Sequence, residues 1–197
     1  MKYAVKDIFF LAIFLISLTA IFWLENFLYL FLNSFLMIFL VAFITRKRRE
    51  VWPVLLIVGL LIIFESIIAY TVTEPMAFFL VFSLFDLFIA FSIVHYHRDK
   101  FFLSLCRVNQ DTPNIPQVYL ISCILALTSL YSFLLGTEMV FYTLDKQIFE
   151  GEEPYFYSIY VPVKISLKFL FDLSIWSLVL IPSNWRFLRK IEQQFHL

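Results

Sequence analysis

Glycine is almost missing from this 197-residue chain, occurring only as Gly59, Gly136 and Gly151. That scarcity excludes a Gly-rich phosphate loop and a selectivity filter of backbone carbonyls, and it leaves little material for the broken helices of secondary transporters. Cysteine is scarcer still. Cys106 and Cys123 cannot build a structural zinc site by themselves, and the topology set out below separates them between a cytoplasmic loop and a membrane helix, so no disulfide is expected. There is no G-x-S-x-G, H-E-x-x-H or C-x-x-C, and without them no enzymatic activity, cofactor or metal is expected. Charge is sparse as well, at 15% of residues against about a quarter in soluble domains.

Apolar side chains fill the space that charge leaves. They make up 62% of the chain, with 26 Phe among them, and the mean hydropathy is +0.88. Such a composition belongs to a chain dissolved in lipid. A membrane helix needs about 20 mostly apolar residues to cross ~30 Å of hydrocarbon, and six stretches meet or approach that length: about 8–24, 27–45, 51–73, 76–95, 117–138 and 155–181. The first two are parted only by Glu25 and Asn26, and one helix through both would far exceed the bilayer thickness, so a tight hairpin is expected. The first stretch runs on through Phe22, Trp23 and Leu24 without a small-residue cleavage site, so it reads as a retained helix rather than a signal peptide. The fold class is therefore an all-α polytopic membrane helix bundle of six transmembrane helices over residues 1–181, followed by a tail, 182–197.

Formal net charge is zero, yet the charges are segregated. Lysine and arginine are retained on the cytoplasmic side of short loops. With the N-terminus inside, that side holds Lys2, Lys6, Arg46, Lys47, Arg48, Arg49, Arg98, Lys100, Arg107, Arg186, Arg189 and Lys190, while the other holds Lys146 against Glu25, Glu74, Glu138, Asp145, Glu150, Glu152 and Glu153. Both termini are thus expected in the cytoplasm, in a bacterial inner membrane, and nucleic acid is not an expected partner. Tyr29, Tyr70, Tyr142 and Tyr155 outside, with Trp52, Tyr96 and Trp185 inside, fit interfacial aromatic belts. In the tail, Trp185, Leu188, Ile191 and Phe195 recur at helical spacing beside basic residues, as in an interfacial helix lying on the inner leaflet. The loop 95–116 contains an apolar run, Phe101–Cys106, able to lie on the membrane or dock a partner.

An ionisable side chain in hydrocarbon costs at least ~2.5–3.5 kcal/mol on insertion scales and by default marks function. Glu65, Asp86, Lys164, Lys168 and Asp172 are such groups. In the last helix Tyr160, Lys164, Lys168 and Asp172 recur every four residues, a polar stripe that drifts ~40° per step. Two readings of these residues stand side by side. In one, Lys168–Asp172 is a neutralised structural pair, Lys164 snorkels outward, and Glu65 and Asp86 are packing residues. In the other, Glu65 and Asp86 join the stripe around a wet cavity that binds an ion, proton or ligand. Asn33 and the seam Ser122, Ala126, Ser129, Gly136 have the small or polar character of helix contacts rather than sites. His95 and His97 point to different sides of a helix and do not make a metal pair.

Two functions follow as expectations. The first is a membrane-embedded subunit (sensor, anchor, or stress or defence component) of a larger assembly, homo-oligomeric in the bilayer and presenting the 95–116 loop and the tail to a cytosolic protein. The basic residues of the inner face and Trp185 would make the partner or membrane-surface contacts. The second is a small channel or proton-coupled transporter using Glu65, Asp86, Lys164, Lys168 and Asp172.

Overall fold

A computed structural model of the chain describes residues 12, 15–16, 27–46, 48–96, 100–108, 115–144 and 154–180. Every described element is helical: α1 (Phe27–Ile44), a 3-10 turn (Arg49–Val51), α2 (Trp52–Thr71), α3 (Pro75–His95), α4 (Lys100–Cys106), α5 (Gln117–Leu144), α6 (Tyr155–Ser158) and α7 (Tyr160–Leu180). Three stretches are long and apolar enough to cross a membrane: Arg49–Thr71, Pro75–His95 and Gln117–Leu144. The described apolar part of α1, Phe31–Ile44, is shorter, and α7 interrupts its 21 residues with Lys164, Lys168 and Asp172. The expected first helix, 8–24, falls outside the described residues except for Ala12, Leu15 and Ile16, which are helical. The tail 182–197, with Trp185, Arg186, Arg189 and Lys190, lies wholly outside them, as do Lys47 and Arg98.

Proline sets the boundaries where glycine is absent. Pro53 and Pro75 stand in the first turns of α2 and α3, where a missing N–H costs nothing and φ is already helical. The last helix, expected unbroken over 155–181, is instead a single turn, α6, followed after Ile159 by α7. Pro162 explains the break, since its ring clashes with the carbonyl four residues back and offers it no N–H. α5 runs past its expected end at 138 to Leu144, which puts Glu138 on a helix rather than in a loop. At the end of α4, Arg107 takes φ 53°, a left-handed conformation that glycine usually occupies. It closes a Schellman motif in which the Val108 and Arg107 amides donate to the carbonyls of Leu103 (3.0 Å) and Ser104 (3.1 Å).

Five helices pack in a ring. α1 contacts α2, α2 contacts α3, α3 contacts α5, α5 contacts α7, and α7 returns to α1. The α3–α5 contact is the most extensive, and the small-residue seam accounts for it. Ser129 Oγ donates to the Ser83 carbonyl at 2.7 Å and Ser122 Oγ to that of Ala90 at 2.8 Å. Gly136 lies so close to α3 that a Cβ there would stand 2.8 Å from Leu80 side-chain atoms. Ala126 is the exception in the seam and faces outward. On the opposite side of the ring, Trp176 Nε1 of α7 donates to Met37 Sδ of α1 at 3.0 Å.

The outer surface is apolar, with Phe39, Leu84, Phe88, Phe91, Leu130 and Val161 all more than half exposed, as lipid contact requires. Trp52, Tyr70 and Tyr155 are exposed near helix ends in keeping with aromatic belts, whereas Tyr96 is 3% exposed and belongs to the core. Tyr96 is therefore not an interfacial anchor, because its ring is packed within the buried core cluster. Within the ring, the half nearest the basic loops is filled by Ile57, Val58, Ile93, Ile121, Ile175 and Leu178, all essentially without exposed surface. The other half is not filled.

Candidate functional site

In that other half all five helices of the ring line one cleft of about 100 Å³, room for several waters at ~10–15 Å³ each. α1 contributes Phe31, α2 Leu61 and Glu65, α3 Phe78, Phe79, Phe82 and Asp86, α5 Leu125, Thr128, Tyr131 and Ser132, and α7 Tyr160, Lys164, Lys168 and Phe171. Five of the six intramembrane residues singled out from sequence thus meet in one place, drawn from three helices. The sixth, Asp172, is attached through Lys168.

The stripe on α7 divides into two pairs. Lys164 Nζ donates to Tyr160 Oη at 2.7 Å and stands 5.0 Å from the centre of that ring. The lysine thus turns back one helical turn, the direction in which a helical side chain leans and in which an outer snorkelling lysine would reach. Tyr160 is held in turn edge-on against Phe79 of α3, with centroids 5.2 Å apart. One turn deeper, Lys168 Nζ donates to Asp172 Oδ1 at 2.9 Å. Asp172 has no exposed surface, and its Oδ2 has no hydrogen-bond partner. Lys168 retains 19% side-chain exposure and lies 5.1 Å from the Phe171 ring centre. The i,i+4 pairing expected from sequence is present in the geometry.

Asp86 differs from all of these. It is 1% exposed, and among the described residues no N–H or hydroxyl donor reaches either carboxyl oxygen. The titratable group that acts on it is Glu65 on α2, whose carboxyl lies close enough for one proton to be held between the two. Glu65 also feels Lys168, Lys164 and Asp172. Glu65 therefore stands between the α7 charges and an Asp86 carboxyl that has no ion-pair partner among the described residues.

Two roles were missed in the sequence. Glu138 accepts the Phe156 and Tyr157 amides at 3.0 and 3.1 Å, so a carboxylate from α5 caps the first turn of α6. Tyr131 Oη donates to the Phe156 carbonyl at 2.9 Å, fixing the same turn beside the cleft. Leu125, Thr128 and Ser132 at i, i+3, i+7 were legible as a second face of α5 beside the seam, but nothing in one sequence says that such a face lines a cavity. Of the basic residues expected on the inner face, Arg48 is engaged within the chain, donating from Nη1 to the Leu178 carbonyl at 3.0 Å and from Nε to Glu50 at 3.2 Å. It latches the α1–α2 turn to the C-terminal end of α7, where a cation is favoured. Arg46, Arg49 and Arg107 are exposed. His95 Nδ1 lies 3.0 Å from the Phe91 carbonyl, and no metal-binding group of His, Cys, Asp and Glu occurs among the described residues. Both cysteines are free.

Comparison with known protein families, with curated proteins and with solved structures finds no match for this chain.

Proposed function

We propose that the chain is a six-span protein of a bacterial inner membrane, with both termini in the cytoplasm, that holds a small polar ligand in a cleft open only toward the outer side and acts as a sensor subunit of a larger assembly. The observation that carries this reading is the vertical asymmetry of the ring. Its outer half holds Glu65, Asp86, Lys164 and Lys168 around open space, and its inner half is closed by Ile57, Val58, Ile93, Ile121 and Leu178. A plug of fully buried aliphatic side chains offers ions no replacement for hydration and disfavours a standing channel. A ligand in the cleft touches all five helices of the ring. At the inner ends of those helices the α1–α2 turn carries the exposed Arg46 and Arg49, and α4 with its end carries Leu105 and Arg107, the surface on which a cytosolic protein would read the change.

Transport is the second reading, and Asp86 favours it. A buried carboxyl with no fixed partner is suited to exchanging a proton for another cation, and alternating rearrangement of the ring would then open the inner plug. Among the described residues no catalytic constellation accompanies the cleft, and the role proposed is a binding one.

Cysteine accessibility tests the reading in a background with Cys106 and Cys123 replaced by Ser. A membrane-impermeant thiosulfonate applied from outside should label Ser132→Cys and Lys146→Cys, and should leave Ile121→Cys and Arg48→Cys unlabelled. Labelling of Ser132→Cys from the cytoplasmic side would refute the orientation of the cleft. Labelling of Ile121→Cys from outside would refute the plug. Proton or cation flux in proteoliposomes would replace the sensor reading with the transport one.

A further inference from the structure

The four charged residues that line the cleft, taken with the Asp172 that Lys168 holds, do not balance. Glu65, Asp86 and Asp172 face Lys164 and Lys168, so when all five are ionised one negative charge is in excess. An uncompensated charge inside hydrocarbon is expensive. Geometry locates the imbalance: Lys168 is committed to Asp172 at 2.9 Å, Lys164 donates to Tyr160 at 2.7 Å, and among the described residues no lysine hydrogen bond reaches Asp86. The excess therefore resides at Asp86, which lines the cleft and whose two buried oxygens receive no N–H or hydroxyl donor among the described residues.

We propose that the cleft binds a singly charged organic amine, its ammonium group seated between Asp86 and Glu65 and its hydrocarbon part against Phe78, Phe79 and Phe82. This deepens the binding reading above by naming the ligand class and rests on it. An ammonium group presents three donors to four carboxyl oxygens, and its positive charge is attracted to the faces of the surrounding rings. An alkali ion fits less well, because it needs oxygens all round in place of its hydration shell, and much of the cleft lining is phenyl, from Phe31, Phe78, Phe79, Phe82 and Phe171. In the absence of amine, a proton shared by the Asp86 and Glu65 carboxyls supplies the missing positive charge. Amine and proton are then competing occupants, and the groups that set their balance are Glu65 from α2, Tyr131 from α5, and Tyr160, Lys164, Lys168 and Asp172 from α7.

The test uses the full chain in lipid nanodiscs, with n-butylammonium as probe and 1-butanol, butyrate and potassium chloride as controls, read by titration calorimetry in buffers of differing ionisation enthalpy. The result expected is saturable binding of n-butylammonium with release of about one proton per bound probe, no saturable binding of the alcohol or the carboxylate, and no displacement by equimolar potassium. Asp86→Asn should weaken binding at least about tenfold, since a charged hydrogen bond is lost, and Glu65→Gln should weaken it less. Equal binding of 1-butanol, displacement by potassium, binding without proton release, or a folded Asp86→Asn protein that binds as the parent does would each overturn the proposal. Should Asp86→Asn not fold, the charge selectivity and proton release of the parent chain decide alone. Failure of all probes to bind while Ser132→Cys still labels from outside would refute the amine and leave the outer cleft standing.

Discussion

Separating Lys168 from Asp172 should harm the protein unequally, depending on which partner is removed. Lys168→Met leaves a carboxylate with no exposed surface, one of whose oxygens already lacks a partner. Stripping one member from a buried pair costs ~3–5 kcal/mol, and the complete burial of Asp172 places this variant at the upper end. Asp172→Asn instead leaves an ammonium group with 19% of its side chain exposed to the cleft and the Phe171 ring 5.1 Å away. Cleft water and the ring, worth ~0.5–2 kcal/mol to a cation, offset part of the loss, so this variant should cost ~3 kcal/mol or less. The double variant strands no charge and should return to within about 1 kcal/mol of the parent, because a buried ion pair replaced by uncharged groups is often close to neutral. Equilibrium unfolding of all four proteins in the same nanodiscs, treated as a double-mutant cycle, measures the coupling. Single variants as stable as the parent, or costs that simply add, would show that both groups reach water and that α7 lies at another depth.

The two described glycines should respond oppositely to alanine. Gly136→Ala places a methyl 2.8 Å from the Leu80 side chain and 3.2 Å from its backbone nitrogen, and overpacking of this kind should cost ~1–3 kcal/mol in the same unfolding assay. Gly59→Ala meets nothing within 4 Å and should be neutral or stabilising by ~0.5–1 kcal/mol. A harmless Gly136→Ala would mean that α3 and α5 do not approach as described. Glu138→Ala removes the carboxylate that caps α6, so amide exchange at Phe156 and Tyr157 should quicken and stability should fall by ~0.5–2 kcal/mol; unchanged exchange would refute the cap.

The linear chain determined much of this protein because the solvent in which it folds is so restrictive. Unsatisfied backbone is barred from hydrocarbon, so apolar runs of membrane length had to be helices, and the positions of α2, α3 and α5 could be read to within a few residues at most ends. Period also decided the Lys168–Asp172 pair, since i,i+4 partners on one helix are neighbours whatever surrounds them. The unbroken last helix was misjudged for a local reason that the sequence did contain, Pro162, and Tyr96 because an aromatic residue at a helix end reads alike whether it meets lipid headgroups or the core. Tertiary structure alone decided the rest. That α1, α2, α3, α5 and α7 close into a ring, that Asp86 and Glu65 from different helices face one cleft, that Glu138 caps a turn 18 residues away, and that Arg48 reaches the Leu178 carbonyl are relations between separate helices. Each helix of this chain is apolar on nearly every side, so no hydrophobic face declares its inward direction. Orientation is then set by close packing at Gly136 and Leu80 and by hydrogen bonds such as Ser129 to Ser83, terms that exist only once the helices have met.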